Sequence, residues 1–174
     1  MNDVDLEYFD SVLASLNSSK DESDINDIRD ELTEQGVLKK KAKRKGAKDT
    51  KSTPLKFVSS DGFEIFVGKN NKQNDELTFR FAMPDDIWLH TKNIPGSHVI
   101  LRRGGKTPTD TAITEAAEIA AFYSKSRNGS NVSVDYAERK NVKKPGGAKP
   151  GFVIYDFYKT AHVTPREGRV CTNG

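Results

Sequence analysis

DIWLHTKNIPGSHVILRRGGK, residues 86–106, combines a Trp, two His, an internal Pro-Gly and four basic side chains. In a strand, alternate side chains share a face. DIWLH therefore sends Ile87 and Leu89 one way and Asp86, Trp88 and His90 the other. HVILR separates Val99 and Leu101 from His98, Ile100 and Arg102 in the same manner. With residues 91–97 as the hairpin loop, antiparallel pairing sets His90 opposite His98, Trp88 opposite Ile100 and Asp86 opposite Arg102. Cross-strand neighbours have Cβ atoms ~5 Å apart, so the pattern predicts an Asp86–Arg102 ion pair. One face belongs to a core. The other carries the rings, the carboxylate and the arginine, and its use is the functional question.

The flanking segments predict the rest of the domain. LKFVSSDGFEIFVG reads as a hairpin turning at Asp61-Gly62. NNKQNDELTFRFA reads as a short helix capped by Asn70 or Asn71, although the alternation of Leu77, Phe79 and Phe81 leaves a strand open. Residues 107–127 predict the long helix, capped by Thr107 with Pro108 in its first turn. Its Ala116, Ala117 and Ala120 suit close packing on a sheet. VSVDYAE and FVIYDFY read as strands joined by NVKKPGGAKPG, and HVTP as a short last one. The expected class is α+β: a mostly antiparallel sheet of about seven short strands with one long and one short helix.

An acidic helical hairpin is expected ahead of it. Leu6, Phe9, Val12, Leu13 and Leu16 recur at helical spacing, as do Ile25, Ile28 and Leu32. Asp21, Ser23 or Asp24 could cap the second helix and Gly36 could end it. The pattern leaves two readings: a pair packed on the domain that follows, or the base of a long coiled coil. The expected organisation is a helical hairpin over 1–36, a basic flexible linker over 37–53, the α+β domain over 54–165 and a tail over 166–174.

Composition limits the function classes. The chain has 174 residues with 34% apolar and 30% charged side chains, enough for one modest core. No apolar run approaches the ~20 residues that span a bilayer. The lone Cys171 has no intramolecular disulfide partner, which points to a cytoplasmic, reducing location. The net charge of +3 is unevenly spread. Residues 1–34 carry 11 acidic and 2 basic side chains, whereas residues 35–51 carry 8 basic and 1 acidic.

Three chemistries compete for the ring-bearing face. A metal site needs three or more converging ligands, and Asp86 lies ~13 Å along the strand from His90. No metal or other cofactor is expected. A hydrolase needs a nucleophile, a base and an orienting acid in mutual reach; Ser97 and His98 are adjacent in sequence, but adjacent strand residues point apart. No G-x-S-x-G, H-E-x-x-H or Walker-type loop is present, so no enzyme is expected. A nucleic-acid surface needs cations, a ring to stack on and a loop whose backbone can approach phosphate. Trp88, Lys92, Gly96, Ser97, Arg102, Arg103 and Lys106 supply these. An interior tryptophan is the competing reading. The loop KKPGGAKPG adds Lys143, Lys144 and Lys149, and GKNNKQND adds polar groups at a helix start.

DIWLHTKNIPGSHVIL, VGKNNKQNDELT, EAAEIAAFYS and KKPGGAKPGFVIY resemble segments of the NFACT-R domain of the NFACT family. The resemblance runs over about residues 54–165, and the first helices look like the end of the coiled-coil region that precedes this domain. By this resemblance Asp86, Trp88, His90, Pro95, Gly96, Ser97 and His98 form the family signature, and Asn70, Asn71, Gln73 and Asn74 a second motif. The implied function is RNA binding in ribosome-associated quality control. The implied partners are tRNA, the large ribosomal subunit bearing stalled peptidyl-tRNA, and the rest of a parent NFACT protein, including its N-terminal domain. Template-free C-terminal tailing of the nascent chain is the implied process. Some relatives are described as surface adhesins for fibronectin or fibrinogen, so a cell-surface adhesin fragment is the alternative.

Overall fold

The structure is a computed structural model and describes residues 2–40 and 52–168. Most of the basic run and Cys171 lie outside the described residues. Two helices come first, α1 (Asp3–Ser18) and α2 (Glu22–Glu34). Asn2 caps α1 and Asp21 caps α2, each accepting a backbone N–H three residues on. Gly36, with φ of 76°, follows the end of α2.

The domain alternates strands and helices. β1 (Leu55–Val58) and β2 (Glu64–Val67) form the expected hairpin, with Gly62 in its turn. α3 (Asn71–Glu76) runs on into a wider π-helical turn, Leu77–Phe81, so this segment is helix rather than strand. β3 (Ile87–Thr91), β4 (Val99–Leu101), α4 (Asp110–Phe122), β5 (Val132–Glu138), β6 (Val142–Lys143), β7 (Ile154–Tyr155) and β8 (Lys159–Val163) complete it. The main sheet has the order β1-β2-β4-β3-β5-β8, and every pairing is antiparallel. β6 and β7 form a separate two-stranded ribbon. The architecture is the expected α+β class.

Three expectations shift by a few residues, the first being the last strand, which is Lys159–Val163 and not HVTP. The α4 cap is Thr109, not Thr107, because its hydroxyl accepts from the Ala112 N–H at 3.0 Å and donates to Asp61. Pro108 therefore precedes the cap instead of opening the helix. FVIYDFY is not one strand. Only Ile154 and Tyr155 pair, with β6, and Phe157 then breaks the extended run at φ 53°.

The larger correction concerns layers. α4 covers one face of the sheet. Ala112, Ala116, Ala117 and Ala120 lie with Ile65, Leu89, Val99, Leu101 and Val134 in the main core. The opposite face is also covered. Trp88 and Ile100 are sealed there with Leu77 of the π-helical turn and Val142 of β6, flanked by Phe66, Phe79, Val153 and Tyr155. The sheet is thus sandwiched between α4 and a second layer made by α3, its extension and the ribbon. A sequence signal for this exists. Val99, Ile100 and Leu101 form an unbroken apolar run, the mark of a strand buried on both faces.

The helical hairpin has its own small core of Tyr8, Val12 and Ile28, with Phe9 and Leu32 beside it. Leu6, Leu13, Leu16 and Ile25 of the expected stripes stay exposed. The hairpin is seated on the domain by polar contacts. Lys69 Nζ lies 2.8 Å from Asp24, and Lys72 Nζ 2.9 Å from Glu34. The Asn71 amide donates to Ser11 Oγ at 2.8 Å and to Glu31 at 3.2 Å. Buried Glu31 also accepts from the Tyr8 hydroxyl at 2.8 Å. Burial raises the pKa of Glu31 against these hydrogen bonds.

Candidate nucleic-acid interface

The register of β3 and β4 is the expected one, with Trp88 opposite Ile100. Continued outward, it places Asp86 beside Arg102, and Arg102 Nε stands 3.6 Å from Asp86 Oδ2. The His90 and His98 rings meet edge to face at 5.5 Å. The pairing was legible, but the exposure was not. Trp88 is 0% and His98 1% exposed, so the expectation that this hairpin displays a free indole to a ligand is overturned.

His98 is the hub of the seam. The Trp88 indole N–H can only donate, and it points at His98 Nδ1 at 3.2 Å. Nδ1 must therefore accept, from the Thr78 hydroxyl at 2.9 Å as well. Nε2 carries the proton and donates to the Gly151 carbonyl at 2.9 Å. A second proton would set two N–H groups against one another. Burial and the neighbouring His90 push the pKa of His98 down to about 3. His90 stacks parallel to Trp88 at 5.8 Å, and burial lowers its pKa too.

Asp86 is also internal. It accepts from the Met83 N–H at 2.9 Å and the Arg103 N–H at 3.0 Å, tying together the loops that flank the hairpin. The second motif behaves likewise, and all four of its polar residues are buried. Asn70 caps α3 by accepting from the Gln73 N–H at 2.8 Å. Gln73 accepts from the Lys69 N–H and donates to the Ser52 carbonyl. Asn74 accepts from the His98 N–H at 3.1 Å. Buried amides must be satisfied, and these find their partners inside the protein, so they offer little to RNA. Gly96 and Ser97 are spent in the same way. Gly96 bridges to Ser124, and the Ser97 N–H donates to the Tyr123 carbonyl.

Together these groups latch the basic loop between β6 and β7. Gly151 is held at both ends: its carbonyl by His98, its N–H by Asp75 at 3.0 Å. Lys144 Nζ sits 3.0 Å from Asp75 and caps the Lys149 carbonyl at 2.7 Å. Lys144 therefore works inside the loop and not as a free cation. Gly151 has φ of 81°, and an added Cβ would meet Asn71 Oδ1 at 2.5 Å. Gly151→Ala is expected to cost about 1–3 kcal/mol and to speed amide exchange over 144–153, both read by urea unfolding and hydrogen exchange.

The cations divide by location. Lys143 is exposed and Lys149 half-buried, its ammonium 5.4 Å from the Tyr8 ring. Lys92 lies 4.9 Å over the Tyr158 ring and 3.6 Å from buried Asp135. Arg102, Arg103 and Lys106 sit at the other end of β3. Arg102 stacks 4.0 Å over Phe81 and donates to its carbonyl, and Lys106 is exposed. Lys92 lies six positions from Asp86, ~20 Å along the strand, so these groups do not form one compact patch. Between α1 and the latched loop lies a cleft of about 500 Å³ walled by Tyr8, His90, Pro95, Lys149, Phe152 and Tyr155. Among the described residues no three His, Cys, Asp or Glu side chains group to hold a metal.

Sequence reasoning missed one feature. Phe152, Ile154, Phe157 and Tyr158 are all exposed around the ribbon. Reading FVIYDFY as a continuous strand hid it.

The sequence of residues 54–156 matches the NFACT protein RNA binding domain. The chain belongs to the NFACT family. Over 163 residues the NFACT chain is 48% identical to the Rqc2 homolog RqcH of Bacillus subtilis, matching 92% of itself and 28% of that protein. It is 44% identical over 168 residues to the Rqc2 homolog RqcH of Streptococcus suis, 96% of itself and 29% of the relative. The chain thus spans less than a third of these curated relatives. The C-terminal part of the fibronectin/fibrinogen-binding protein from Streptococcus suis superposes with a TM-score of 0.86 at 44% identity, over 94% of the NFACT chain and 65% of that one. No helix among the described residues is long and apolar enough to cross a membrane.

Proposed function

We propose that this chain is the RNA-gripping part of a ribosome-associated quality-control factor, which engages large ribosomal subunits carrying stalled peptidyl-tRNA and supports C-terminal tailing of the nascent chain. The domain performs no bond chemistry. Its work is to hold RNA through phosphate contacts. The observation that carries this reading is the latched basic loop. A buried network that includes the signature residue His98 fixes the backbone around Gly151, leaving Lys143 exposed and Lys149 half-buried at the cleft beside Tyr8. Cations on a pre-ordered loop lose less entropy on binding than cations on a free tail. Lys92, Arg103 and Lys106 supply further phosphate contacts. The buried polar motifs act indirectly, as the frame of that loop. The family's RNA-binding designation and the relatives' names support the assignment.

The name of the superposed Streptococcus suis protein favours a second reading, adhesion to fibronectin or fibrinogen at the cell surface. A salt titration of tRNA binding separates the two. Under the RNA reading, log K falls linearly with log salt, and Lys143→Glu with Lys149→Glu removes about two phosphate contacts, flattening the slope by about 1.4–1.8. A slope unchanged by the double reversal would refute the loop's role. Fibronectin binding that survives the reversal, with no salt-dependent RNA affinity, would favour adhesion.

A further inference from the structure

Six of the residues in 139–159 are basic and only Asp156 is acidic. Within that cationic segment lies the most exposed aromatic ring of the described residues, Phe157, at 87%. Phe157 has φ of 53°. A bulky side chain pays strain in that left-handed region, and such strain persists where the surroundings enforce it. A phenyl ring held outward by a strained backbone is the reverse of what folding alone favours.

Its neighbours make a rigid backing. Tyr158 packs edge-on against Tyr155 at 5.1 Å, and Tyr155 lies 4.7 Å from buried Trp88. The Tyr155 hydroxyl donates to buried Asp135 at 2.5 Å, and Thr160 donates to the same carboxylate at 2.7 Å. Lys92 stands over the Tyr158 ring, Lys143 pairs across the ribbon with exposed Ile154, and Lys159 follows directly. The exposed rings of Phe157 and Tyr158 thus lie in a lysine-rich stretch, with the Lys92 ammonium over one of them.

We infer that this rim, Phe157 with Tyr158 at its centre, is a stacking platform for unpaired nucleobases. The inference rests on the RNA-binding reading above and adds which part of the RNA is read. Phosphates alone would need only the lysines. Rings accept the faces of bases, and a duplex keeps those faces stacked internally, so an unpaired stretch is the polyanion that satisfies both. A protein partner fits less well, because lysine is depleted from protein–protein interfaces.

The test uses the full chain, a fluorescent 12-nucleotide single-stranded RNA and the blunt duplex of the same sequence, by anisotropy, with variants compared at one salt concentration and the wild type also measured across a salt series. Phe157→Gly removes the ring and relieves the left-handed strain, so it should not unfold the protein. The single strand should bind about 10-fold more weakly, the loss of one stack, and the duplex within 2-fold of wild type. Phe157→Trp should retain single-strand affinity. Equal losses on both RNAs, or no loss on the single strand while wild-type binding stays salt-sensitive, would overturn the platform and leave RNA binding standing. In the second case the rim would revert to a protein contact. A wild-type chain that binds neither RNA would overturn the RNA reading and the platform together.

Discussion

Trp88→Ala is expected to lower the stability of the domain by about 3–5 kcal/mol. That is a large share of the roughly 5–15 kcal/mol that holds a typical domain. The indole is fully buried and touches His90, His98 and Tyr155 at ring distances of 5.8, 5.4 and 4.7 Å. Removing it opens a void between the sheet and its second layer and deprives His98 Nδ1 of one of two donors. Trp88→Phe should cost less, because a ring still fills the gap and one donor remains. Urea unfolding followed by far-ultraviolet circular dichroism measures both. Trp88 is the sole tryptophan, so the wild-type protein should also emit as a buried indole and resist acrylamide quenching. An exposed emission spectrum would refute the layer arrangement.

The second large effect is a dependence of stability on pH that His98 imposes. Unfolded, it takes up a proton near pH ~6.5. Folded, it resists protonation until about pH 3. Above the unfolded pKa neither state is protonated there, and stability is at its plateau. Below it the unfolded chain binds the proton and the native one does not, so stability falls as pH falls. The slope approaches about 1.4 kcal/mol per pH unit, for this one group, until the folded pKa is reached. His90 adds to the same trend, since its pKa is also depressed. His98→Gln should be less stable at about pH 8, yet its curve should be flatter between about pH 6.5 and 4, where the wild-type curve drops. Parallel curves for the two proteins would mean that His98 is solvated.

The chain's own letters carried a definite part of this architecture. Alternation in DIWLH and HVILR, with a loop of fitting length, specified the β3–β4 register and the Asp86–Arg102 contact. Alternation says which residues share a face but not what covers it. The cover comes from Leu77 and Val142, 11 residues before Trp88 and 54 after it, and no local pattern links them. The run Asn70–Asn74 misled for a related reason. Amides read as surface groups until their partners are known, and those partners lie at Ser11, Glu31, Ser52 and His98. Phe157 was hidden by propensity. An aromatic, β-branched string reads as a strand, and only the backbone reveals the turn inside it.

The sealed His98–Gly151 seam has a practical consequence for genetics. A scan of substitutions through residues 86–98 would return a dense cluster of loss-of-function alleles, and their density would invite the conclusion that a ligand sits there. Most would instead report proteins depleted by misfolding. Assays on such alleles therefore need normalising to the folded fraction, and the silent-looking lysines and rings on the rim are where a separation-of-function allele is to be sought.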